Sequence, residues 1–218
     1  MTRRIRRNLL IGLFAIISLV TASVLVIANA DTRWKAEYRV RKFLLAEAKP
    51  EHHKYINEYH YRADRFGTKS WLVLCSRSMM MHSMSYCLID RDGEITRMSP
   101  ESLSKVMRTE FEPNAHDSDH DKFIEDFVHL LHHEGKEIID EARIDTLKSD
   151  PHNPIPEDLA AKIRPPERTP DGTYIFCAYQ RIGGYVRRYE FHYSSTGAFR
   201  ECIVSEVVSR VGPYQMYQ

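Results

Sequence analysis

The chain has 218 residues, with 31 Lys+Arg against 30 Asp+Glu, 43% hydrophobic and 11% aromatic residues. This composition excludes a disordered or low-complexity chain, and no sustained heptad or collagen-like glycine period points to a fibre. The net charge of +1 is unevenly spread. Residues 1–30 carry four arginines and no acid, which leaves −3 on residues 31–218 and excludes the basic footprint of a nucleic-acid-binding domain.

Arg3, Arg4, Arg6 and Arg7 precede Leu9–Ala28, a run of 20 residues without a charge. As a helix it spans roughly 30 Å, the thickness of a hydrocarbon core. Basic residues before a first apolar segment hold that end in the cytoplasm. The expectation is a signal-anchor over residues 1–30 and a single extracytoplasmic domain over 31–218. Ala28-Asn29-Ala30 also fits signal-peptidase cleavage before Asp31, which would secrete the domain instead. The apolar run is longer than the roughly 7–15 residues of a signal peptide, which favours the uncleaved, single-pass membrane protein.

Asp31 to Ala48 predicts a helix, with Ala36, Val40, Phe43, Leu44 and Ala48 at three- and four-residue steps. Asp31 or Thr32 caps it and Pro50 limits it. Glu51 to Arg65 predicts a second helical stretch. Ser70 to Ser76 is a continuous apolar run and predicts a buried strand. Tyr86 to Met98 predicts strand, turn and strand, with Asp92-Gly93 in the turn. Ser99-Pro100-Glu101 opens a helix that runs to about Arg108. Asp121 to Glu134 predicts another, ended by Gly135.

Lys136 to Lys148 reads equally as helix or strand. Ser149 to Pro156 predicts a loop, Pro156 to Ile163 two helical turns, and Arg164 to Gly172 a linker. Thr173–Gln180, Tyr185–Tyr193 and Ala198–Val208 predict a three-strand meander, with glycines in both turns. In the middle strand Tyr185, Tyr189, Phe191 and Tyr193 share one face, with Tyr189 and Phe191 packed, and Val186, Arg188, Glu190 and His192 share a solvent face. The fold class is therefore α+β: a transmembrane helix, then helices and an antiparallel sheet ending in the meander. At the level of architecture this order resembles small exported modules such as cystatin-like folds, which implies no function.

Two segments have the chemistry of metal sites. Met79, Met80, Met81, His82 and Met84 fall within six residues, and thioether sulfur with imidazole suits Cu(I). The competing reading is that these methionines fill gaps in a core. His129 and His133, four apart on one helix face, fit one divalent ion such as Zn, with His116 or His120 as a third ligand if the preceding loop folds back. The competing reading is a solvated acidic and histidine face. No His-Glu-x-x-His motif is present, because Gly135 and Lys136 follow His133-Glu134.

Four cysteines in an exported chain invite disulfides. Cys177 and Cys202 are two strands apart in the meander, about 9.6 Å, too far to bond. Cys75 and Cys87 close the Met-rich segment if their strands pair. No nucleophile elbow, phosphate loop or dinucleotide fingerprint occurs. The leading expectation is a membrane-anchored extracytoplasmic binding or scaffolding domain without catalysis, partnered by the membrane and another envelope protein. The alternatives are an exported copper- or zinc-binding domain and a hydrolase with an unrecognised site.

Overall fold

A computed structural model describes residues 32–77, 84–132, 136–137, 141–149, 155–180 and 185–208. The predicted anchor, residues 79–83 and His133 lie outside the described residues. No described helix is long and apolar enough to cross a membrane.

The fold is α+β, with two antiparallel sheets rather than the single sheet expected. Helix α1 (Arg33–Glu47) forms where the periodicity placed it. Thr32 sits at its N-cap and the Thr32 carbonyl accepts from the Lys35 and Ala36 amides, but its hydroxyl makes no cap bond. A turn of 3-10 helix (Pro50–His52) leads to α2 (His53–Asn57). The expected helix over 51–65 stops there, because β1 (His60–Phe66) pairs along its whole length with β2 (Ser70–Ser76). Strands β3 (Met84–Ile89) and β4 (Ile95–Arg97) complete a four-stranded meander. Ala36, Val40 and Leu44 of α1 bury against Ala63, Val73, Cys75, Cys87 and Ile89 on one face of it.

The β3–β4 turn is held by Asp90, whose Oδ1 accepts from the Asp92 and Glu94 amides at 3.0 and 2.8 Å. Lys105 reaches the same carboxylate at 2.8 Å. Burial pushes the Asp90 carboxyl up, but Lys105 and the turn amides outweigh it and its pKa falls below the usual range.

Helix α3 (Pro100–Phe111) starts with Pro100 after a reciprocal cap. The Ser102 amide donates to Ser99 Oγ at 3.1 Å, and the Ser99 amide to Ser102 Oγ at 2.9 Å. The helix runs one residue past Glu110, which clamps the β1–β2 turn. The Glu110 carboxylate accepts from the Thr68 amide at 2.6 Å, the Thr68 hydroxyl at 2.9 Å, the Lys69 amide at 3.1 Å and the Ser70 hydroxyl at 2.8 Å. Gly67 in that turn has φ +70°, and a Cβ there would sit 2.5 Å from the Glu110 carboxylate. Glycine is therefore required twice over.

Helix α4 (His120–His132) follows a loop. Short β5 (Lys136–Glu137), α5 (Glu141–Lys148), α6 (Glu157–Ala160) and β6 (Glu167–Arg168) precede the meander of β7 (Tyr174–Gln180), β8 (Tyr185–Tyr193) and β9 (Phe199–Val208). The ambiguous stretch is thus a two-residue strand followed by a helix, and the linker carries a strand. Strands β5 and β6 pair with opposite ends of β7, on the edge away from β8.

The main core joins both sheets through α3. Leu103, Val106 and Met107 pack with Leu88 from the first sheet and with Phe176, Tyr189, Phe191 and Cys202 from the second. Phe127 of α4 sits among them, edge-on to Phe191 at 5.2 Å. The packed face of β8 is as expected. Its other face is not simply solvated: Val186 is fully buried with Cys177 under Ile144, Ile155, Ala160 and Ile163, because α5 and α6 pack there. Arg188, Glu190 and His192 on that face are half-buried.

The outer edge of β9 is met by α3 and the segment after it. The Cys202 amide donates to Ser104 Oγ at 2.9 Å, Arg108 donates to the Arg200 carbonyl at 3.2 Å, and the Phe199 amide donates to the Pro113 carbonyl at 2.9 Å.

Candidate functional site

Glu112 ends α3 in the left-handed region, with φ +46°, and turns the chain away from the helix axis. The following loop is pinned to the β8–β9 turn. Asn114 Nδ2 donates to the Thr196 carbonyl at 3.2 Å, the Ala115 amide donates to the Gly197 carbonyl at 2.8 Å, and Asn114 bridges Ala198. Gly197 has φ +83°, and any Cβ there would meet Asn114 and His116 below 3.0 Å. The Asn114 amide donates to Asp117 Oδ2 at 2.8 Å and the His116 amide to Asn114 Oδ1 at 3.0 Å. The loop is thereby fixed over one face of α4.

Between that loop, α4 and the end of α3 lies a cavity of about 710 Å³. Its apolar lining comes from three places: Phe66 at the end of β1, Met107 and Phe111 on α3, and Phe123 and Leu130 on α4. Phe66 and Phe111 meet edge-on at 5.2 Å, and Phe111 remains 49% exposed. Asp117, Asp119 and Asp126 supply acid at the mouth, with Lys122 and His129 between them. Lys122, Phe123, Asp126, His129 and Leu130 recur at three- and four-residue steps, so one stripe of α4 forms this wall, with Asp119 just before the helix. Size and composition are those of a small-molecule or side-chain pocket, apolar with a few placed polar groups.

His120 closes the inner end. It is buried, and its Nε2 lies 2.6 Å from the Tyr193 hydroxyl. Its Nδ1 lies 3.6 Å from the exposed Asp121 carboxylate, whose charge favours a proton on that side of the ring. Burial and then the nearby Arg168 charge hold the His120 pKa below its ordinary value, against the pull of Asp121. Burial pushes the Tyr193 phenol up, so it stays protonated.

The sequence-predicted sites are placed as follows. His129 lines the cavity; His133, its proposed partner, lies outside the described residues. His120 lines the same cavity but is committed to Tyr193, and His116 sits against the Gly197 turn. Among the described residues no three His, Cys, Asp or Glu side chains converge as metal ligands. Met79, Met80, Met81 and His82 lie outside the described residues. Met84 opens β3, its backbone opposite Ser76.

All four cysteines are buried free thiols. Cys75 and Cys87 face α1 from adjacent strands, diagonal to each other, and the Cys75 thiol donates to the Val73 carbonyl at 3.7 Å. Cys177 and Cys202 lie in different cores on opposite faces of the second sheet, with β8 between their strands.

Sequence reading missed Phe66, Met107 and Phe111. The one local signal was Phe111, an aromatic side chain beyond the expected helix end.

No known protein family, curated protein or solved structure matches the chain. The resemblance to cystatin-like modules therefore stays at the order of elements.

Proposed function

We propose that the chain is a membrane-anchored extracytoplasmic binding or scaffolding domain without catalysis, and that the α3–α4 cavity is its ligand site. The observation that carries the reading is the pairing of an apolar lining with exposed acidic side chains in one cavity. Phe66, Phe111 and Leu130 reward burial of an aliphatic or aromatic group. Asp117, Asp119 and Asp126 favour a cationic group at its end. The fitting ligand is an apolar segment bearing a Lys, Arg or amine, presented by another envelope component. Among the described residues, His120 is the histidine buried at the cavity, and it is bonded to a phenol rather than aimed at a nucleophile, which supports binding over catalysis. The four arginines before Leu9–Ala28 support the anchor and its orientation.

The test titrates the full chain with an arylalkyl ammonium and with the arylalkyl carboxylate of the same size. Chemical shifts at Phe111, His129 and Leu130 are followed. The ammonium is expected to perturb these residues at lower concentration, and Asp117→Asn with Asp126→Asn is expected to erase the preference. Unmoved shifts at all three would remove the cavity as the ligand site. A reporter fused after Gln218 that is active only in the cytoplasm would remove the orientation.

A further inference from the structure

Helix α1 carries five basic and two acidic residues, a net of +3, on a domain whose residues 31–218 together carry −3. The rest of that domain is thus at −6. The charge is concentrated on one helix, and it coincides with the two most exposed aromatic side chains among the described residues. Ala36, Val40 and Leu44 bury toward the first sheet. On another stripe of the helix stand Trp34, 61% exposed, and Tyr38, 50% exposed. Lys42, one turn on, holds its Nζ 4.9 Å from the centre of the Tyr38 ring. These three positions recur every four residues, so they form one strip along the helix.

An exposed tryptophan and tyrosine on a basic helix is the composition of a membrane interface. Amphipathic aromatic rings sit at headgroup level, and Lys and Arg meet anionic lipid. The position in the chain fits. Five residues separate Ala28, the end of the uncharged run, from Trp34, and the six extended steps between them reach at most about 22 Å. With residues 9–28 in the bilayer, Trp34 cannot lie far from the headgroups.

We propose that the Trp34–Tyr38–Lys42 strip of α1 lies against the anionic phospholipid headgroups of the membrane that anchors the chain. The inference rests on the anchor reading above. It fixes an orientation: the basic helix faces the lipid, and the acidic remainder is turned away from like charge.

The test uses the full chain in phosphatidylcholine vesicles containing phosphatidylglycerol, with and without brominated phosphatidylcholine. Flotation of the chain with the vesicles reports the anchor. Tryptophan emission reports the strip, because the only other tryptophan, Trp71, is buried. Brominated lipid is expected to quench the wild type and to leave the exposed-site variant Trp34→Phe nearly unchanged. Aqueous iodide is expected to quench Trp34 less in vesicles than when the chain is held in detergent. A chain that floats while brominated lipid leaves its emission unchanged overturns the inference and spares the anchor. Shielding of Trp34 from both quenchers would mean that a second copy covers the strip, which also overturns it. Failure to float removes the anchor reading and the inference together.

Discussion

The Nε2 of His120 and the hydroxyl of Tyr193 stand 2.6 Å apart across 73 residues of sequence, tying the start of α4 to the end of β8. The imidazole it holds is buried, and burial favours its neutral form. Burial depresses the folded-state pKa of His120, so between that value and the unfolded value of about 6.5 the unfolded chain binds more protons. Stability from this group is full above pH 6.5 or so and is lost as pH falls through the folded pKa. Denaturant melts at pH 7.5 and 5.5 should show a larger acid loss in the wild type than in His120→Gln. Equal losses would show that His120 titrates alike in both states.

Glu110 should matter more than its position at a helix end suggests. Its carboxylate accepts four bonds from the β1–β2 turn, so Glu110→Ala should cost about 1–3 kcal/mol. Burial pushes its carboxyl up, but the bonds from Ser70, Lys69 and Thr68 outweigh this and the pKa is lowered overall. The contribution is present above the unfolded value of about 4.3 and disappears as pH falls through the folded one. Glu110→Gln should flatten the wild-type loss between pH 5 and 3.

The second sheet gives a contrast of neighbours. Phe191 is fully buried between Phe127, Phe176 and Phe199, and Phe191→Ala should cost about 3–5 kcal/mol. Glu190, paired with Arg188 at 2.9 Å on the half-covered face, should cost under about 1 kcal/mol when changed to Ala. Similar costs in urea melts would contradict the face assignment.

The cysteines should pair selectively. Refolding in a glutathione redox buffer, with oxidised glutathione as the electron acceptor, should link Cys75 to Cys87, which lie diagonally on one face of adjacent strands. It should not link Cys177 to Cys202, which sit on opposite faces. Peptide mapping after alkylation reads the outcome, and a Cys177–Cys202 peptide would be incompatible with the strand order.

Copper is a sharper test of the Met-rich segment than of the fold. Against a competing chelator, Cu(I) affinity should not exceed that of a variant with Met79, Met80, Met81 and Met84 all changed to Leu, because packing is methionine's usual role. A higher wild-type affinity would restore the copper reading.

The parts of the fold legible in the sequence are those with local causes. Ser99-Pro100 announces α3 through its cap, and the 36-40-44 spacing announces α1. Strand β1 was not legible because it lies at an edge: only Ala63 of its seven residues is buried, so no alternation marks it. The helix α5 and strands β5 and β6 were unclear because their form is set by pairing with β7 and packing on Val186. Of the pocket, the acidic and histidine stripe of α4 was visible. Its apolar half was not, since Phe66 reaches Phe111 only through the hold of Glu110 on the turn after β1.

The second sheet also bears on how the chain behaves in company. An unpaired strand edge is a template for another molecule's strand, and therefore a route to aggregation. Here β5 and β6 occupy the flank of β7, while Ser104, Arg108 and Pro113 engage backbone groups of β9 at Cys202, Arg200 and Phe199. Strand addition at either flank would first have to displace part of the molecule's own chain. At this sheet, crowded domains are thereby steered away from edge-to-edge polymerisation.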